Sequence, residues 1–171
     1  MRLTGLKFFL LFLAQAVLWN YFNFSQYIVI AILPAMILCL PISRSTIEAM
    51  LIAFVTGVAI DFLVTGQLGL TSFALVPAGL LRRPVISLVF GSELFARGEE
   101  LSLHRQGWLK FALAVLLLTA VFLLPYIWLD DAGTRPFWFG AAKFGISLVL
   151  SSFVSVFVCD ILLEDTAARW R

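Results

Sequence analysis

Two carboxylates, Asp61 and Asp160, lie inside apolar runs, where an ionisable group is costly and marks a candidate for function. Asp160 stands four residues before Glu164 and the carboxyl tail, which places it near an interface and within reach of water. Asp61 lies deeper. Counted from a helix start near Thr46, it falls about 15 residues in, roughly 22 Å along the axis. That is the outer third of a hydrocarbon core about 30 Å thick. Ala49, Ala53 and Gly57 precede it at four-residue spacing, so the four residues share one helix face. Small residues on that face let another backbone approach closely. The groove either packs against the protein's own helices, with Asp61 capping the turn at Thr65, Gly66, Gln67 and Gly69, or seats the membrane helix of a partner. A further expectation pairs Asp61 with Lys143, about six residues below the outer end of the last helix and at comparable depth. Such a pair would lower the cost of both charges.

A second stripe of small polar residues, Ser147, Ser151, Ser155 and Cys159, recurs at the same spacing. It reads as a packing face, for another helix of the bundle or for a partner's helix. No enzyme constellation accompanies these residues: there is no His-Glu-x-x-His, no phosphate-cradling glycine loop and no Ser with a nearby His and acid. The expectation is therefore a protein that is not an enzyme and needs no cofactor. The single His104 lies among Arg105, Glu99 and Glu100 and reads as solvated. Cys39 and Cys159, both in apolar stretches, exclude a disulfide framework and a cysteine-rich metal site.

The elements that position these residues follow from composition. The 171 residues are 62% hydrophobic and 13% charged, with a net charge of +2, outside the range of soluble domains. The chain reads as an all-α integral membrane protein in contact with lipid, with no basic surface for nucleic acid. Hydropathy and breakers predict a single domain over 1–171 with a six-helix transmembrane bundle, at about 3–20, 24–41, 46–64, 67–82, 108–129 and 137–163. Pro34 and Pro77 fall inside the second and fourth helices and predict kinks. The fourth, about 24 Å long, would be short for the membrane. Arg2 and Lys7 before an apolar run, with Ala14, Gln15 and Ala16, mimic a secretory signal, but the apolar pattern resumes through Val17 to Trp19 and favours an uncleaved first helix.

Ten of the twelve Lys and Arg fall on alternate segments, leaving Arg135 and Lys143 on the other side. The positive-inside rule then places both termini in the cytoplasm, together with a long loop at about 83–107. Pro84 to Phe95 in that loop reads as an interfacial amphipathic helix or a partner-docking segment. On the outer side, the sequon at Asn23 hugs the membrane and reads as coincidental. Asp130, Asp131, Gly133 and Pro136 form a turn that is solvated or binds a cation.

Gly57, Asp61, Gly66, Leu68, Gly69 and Leu70, followed by the Leu81-Arg82-Arg83-Pro84 exit and a mixed-charge loop ending at Gly107 and Trp108, resemble the rod shape-determining MreD family, especially its Bacteroidetes-like members. The resemblance implies a non-catalytic inner-membrane component of the bacterial cell-wall elongation complex. Its expected partner is an MreC-like protein, with a RodA-type glycosyltransferase, a class B penicillin-binding protein and MreB filaments in the same assembly. Ala49, Ala53, Gly57, Asp61, Gly66 and Gly69 are then the candidates for partner contact. The alternative is the substrate-binding S component of an energy-coupling-factor vitamin transporter, whose fold the six-helix layout also resembles. Ala49-x-x-x-Ala53 mimics the coupling motif of those proteins but lies in the third helix instead of the first.

Overall fold

The computed structural model of the protein describes residues 2–22, 28–91, 107–131 and 136–167. Among them the chain forms α1 (Arg2–Phe22), α2 (Leu33–Leu38), α3 (Thr46–Ile60, continued by a π-helical turn Asp61–Thr65), α4 (Leu70–Phe90), α5 (Trp108–Asp131) and α6 (Phe137–Ala167), and no strand. Four stretches are long and apolar enough to cross a membrane: Thr46–Val64, Leu70–Phe90, Trp108–Asp131 and Phe137–Cys159. This is the architecture of a multi-pass membrane protein. In α1 the apolar stretch is shorter, Phe8–Asn20.

The six-helix layout holds in part, and it departs from expectation at the second helix. Instead of a span over 24–41, only Leu33–Leu38 is helical and residues 28–32 are not. Pro34 is the physical reason. A proline in the first turn of a helix forfeits no hydrogen bond, since the amides there have no helical partner. It therefore starts α2, where the sequence suggested a mid-helix kink. The β-branched Ile28, Val29, Ile30 and Ile32 before it lower helix propensity further. All six residues of α2 are buried, and α2 touches every other helix of the bundle. A helix apolar on all sides belongs in a core.

Around this centre α3 packs on α4, α4 on α5 and α5 on α6. Ser45 caps α3 by accepting from the Glu48 amide at 3.2 Å, which satisfies one of the unpaired first-turn donors. The fourth helix also departs from expectation. It begins at Leu70 and continues past Arg82 to Phe90, so its 21 residues reach about 31 Å and the expectation of a helix short for the membrane is corrected. Pro84 lies inside α4 and does not open a separate interfacial helix. Residues 92–106 of the expected cytoplasmic loop, His104, the sequon at Asn23 and the side chain of Asp160 lie outside the described residues.

Candidate functional site

The first site is a hairpin. α3 ends in a π-helical turn closed by the Gly66 amide donating to the Asp61 carbonyl at 2.9 Å. Gly66 (φ 66°) and Gly69 (φ 103°) adopt left-handed conformations that a residue with a Cβ takes only under strain. Gly69 is the N-cap of α4 and brings no side chain to the task. The carboxylate of Asp61, fully buried, takes over from the end of the preceding helix. It accepts from the amides of Gly69 (2.9 Å), Thr71 (3.0 Å) and Ser72 (3.3 Å), and from the Ser72 hydroxyl (3.2 Å). A negative charge at a helix N-terminus also suits the helix dipole.

One turn back, Gly57 lies against Ser72 so closely that a Cβ there would come within 2.5 Å of the Ser72 Cα. At the other end of the hairpin, a Cβ on Gly79 would meet the Ala49 carbonyl oxygen at 3.1 Å. Ala49, Ala53, Gly57 and Asp61 are buried, and their face is filled by α4. Of the two alternatives, the face is thus filled by the protein's own helix, with Asp61 capping the turn. It does not stand open as a seat for a partner helix, and Gly66 and Gly69 are turn residues beside it.

The Asp61–Lys143 pair is also corrected. Lys143 donates to Asp130 at 2.6 Å and lies 3.7 Å from Asp131, and Asp61 is not among its ion-pair partners. The lysine is 4% exposed, whereas the Asp130 side chain is 36% exposed. The ammonium of Lys143 is thus a cation held by Asp130 and Asp131. Depth alone suggested Asp61, but the last turn of α5 lies across from Lys143 on the neighbouring α6. Lys143→Ala should cost about 2 kcal/mol, reduced from a fully buried pair by the exposure of Asp130. Adding Asp130→Asn should recover part of that loss, and adding Asp61→Asn should not. Unfolding of the single and double variants in detergent measures this.

The second site is the non-helical segment 28–32, threaded between α1 and α6. The Val29 amide donates to Ser147 Oγ (2.9 Å) and its carbonyl accepts from Ser151 Oγ (3.0 Å). The Ala31 amide donates to Ser151 Oγ (3.0 Å) and its carbonyl accepts from Ser155 Oγ (3.3 Å). Residues between them turn the other way. The Ile30 carbonyl accepts from Gln15 Nε2 (3.0 Å) and from Trp19 Nε1, and the Ile32 amide donates to Gln15 Oε1 (2.6 Å). This is the two-residue alternation of a strand, with side chains of two helices standing in for neighbouring strands. In an apolar medium non-helical backbone persists only where protein satisfies it.

The serine stripe therefore serves an inserted segment of the same chain, where sequence suggested a helix. Ser151 holds both Val29 and Ala31, so Ser151→Ala should cost about 2 kcal/mol and Ser147→Ala or Ser155→Ala about half as much. Hydrogen exchange at the Ala31 amide is the direct measure, and it should accelerate most in Ser151→Ala.

Arg82 completes the framework. Only 1% exposed, it donates to the carbonyls of Leu38 (3.4 Å), Leu40 and Pro41 (3.2 Å), the chain leaving α2, whose final carbonyls have no helical partner. Sequence reasoning read Arg82 as a cytoplasmic charge and Gln15 as part of a signal-like motif. The available signals were an amide in the middle of an apolar helix and an arginine preceded by leucines. Cys159 reaches the same element, with its Sγ 3.7 Å from the Ala35 carbonyl and 2.8 Å from Cys39 Sγ. Among the described residues no three His, Cys, Asp or Glu side chains group to hold a metal ion. Comparison with protein-family models, with curated proteins and with solved structures gives no match.

Proposed function

We propose that this protein is a non-catalytic scaffold of the bacterial inner membrane that regulates the cell-wall elongation complex through an MreC-like partner, with both termini cytoplasmic. The observation that carries the reading is the commitment of six buried polar side chains. Gln15, Asp61, Arg82, Ser147, Ser151 and Ser155 all bind the chain's own backbone. Such an interior is a fixed framework, suited to holding neighbours in register. The residues that carry the resemblance support it too, since Gly57, Asp61, Gly66 and Gly69 act together in one hairpin. The partner's seat is not the Ala49-Ala53-Gly57 face, which α4 covers.

The test is co-purification of the full chain with the MreC-like protein of its host, together with cell shape after its depletion. Recovery of that partner and rounding of rod-shaped cells support the scaffold. Tight vitamin binding by the isolated protein, with no partner recovered, would overturn it in favour of the transporter subunit. Reporter fusions at Arg171 and near Arg97 should report cytoplasm, and a fusion near Gly133 periplasm. A periplasmic carboxyl terminus would refute the orientation.

A further inference from the structure

The two cysteines, 120 positions apart in sequence, bring their sulfurs to 2.8 Å. They differ in setting. Cys159 on α6 is fully buried. Cys39 is the residue that ends α2 and is partly exposed. The guanidinium of Arg82 binds the carbonyls of Leu38 and Leu40 on either side of Cys39. With Cys159 buried and Cys39 partly exposed, an external reagent reaches Cys39 before Cys159.

We propose that Cys39 and Cys159 form a thiol–disulfide pair that latches α2 to α6, with Cys39 as the attacking thiol and Cys159 as the resolving one. The oxidant is a small-molecule disulfide. The Cys39 thiolate attacks one sulfur of that disulfide, forming a mixed disulfide and expelling one thiolate. Cys159 then gives up its proton and attacks the Cys39 sulfur, expelling the second. Two protein thiols are oxidised by two electrons, and the small disulfide is reduced to two thiols. The bond fixes the end of the segment that begins at residue 28, so its effect is to restrain the threaded backbone between α1 and α6. This inference is independent of the scaffold reading, because it concerns the chain alone.

The test uses the full chain in detergent with glutathione disulfide. The wild-type protein should lose two hydrogen masses, retain no glutathione, and yield a cross-linked peptide containing Cys39 and Cys159. Cys159→Ser should instead retain one glutathione on Cys39, while Cys39→Ser should stay unmodified. Oxidation should slow amide exchange over residues 28–39 by on the order of tenfold in the wild type and in neither variant. A lasting glutathione adduct on the wild type, a dimer between chains, or two thiols still open to maleimide after unfolding would overturn the pair. Unchanged exchange in a protein that does form the bond would overturn the latch.

Discussion

Gly57→Ala should destabilise the α3–α4 hairpin by about 3 kcal/mol, and Gly57→Leu should largely prevent its folding. The added Cβ would lie 2.5 Å from the Ser72 Cα and 2.7 Å from its amide nitrogen. Both are backbone atoms at the start of α4 and cannot swing aside as a side chain would. Relief requires α4 to move away from α3. That movement would draw the Thr71 and Ser72 amides from the Asp61 carboxylate, so the packing loss brings a hydrogen-bond loss with it. Were the groove instead the seat of a partner's helix, Gly57→Leu would leave insertion intact and weaken partner binding. Folded yield in membranes and the unfolding midpoint in detergent decide between them. A Gly57→Leu protein as stable as wild type would show that α4 does not fill the groove.

Asp61→Ala should cost about 2–4 kcal/mol. Three amides and one hydroxyl at the head of α4 lose their acceptor at once, in a medium where water does not replace it. Asp61→Asn should cost about half as much, since its amide oxygen still accepts while its NH2 group faces donors. The signature is local. Exchange at Thr71 and Ser72 should accelerate far more than exchange in α5. Uniform acceleration across all helices would mean that Asp61 supports the fold as a whole and is not the cap of α4. Because Lys143 has its own carboxylates, combining Asp61→Asn with Lys143→Ala should give additive losses.

The chain's apolar excess and its breakers determined by themselves that it is a helical membrane protein, and placed α1, α3, α5 and α6 within a few residues of where they begin. These are local properties: a helix satisfies its own backbone, so each span is legible from its own residues. The four-residue recurrences at Ala49 and Ser147 likewise identified two packing faces. What covers those faces was decided only in three dimensions. Whether Gly57 admits a partner or Ser72 depends on how sharply the Gly66–Gly69 turn folds α4 back, and hydropathy carries no signal for that. The serine stripe could not be assigned to residues 28–32 because that segment is as apolar as a helix, and its partners are as far as 124 positions away. The partners of Arg82 and Lys143 were not legible in the sequence for one shared reason. A charge is expensive in an apolar medium wherever it stands, but which acceptor removes the expense is a matter of geometry. Three carbonyls, one ending α2 and two just after it, and two carboxylates ending α5 become those acceptors only once the helices have packed.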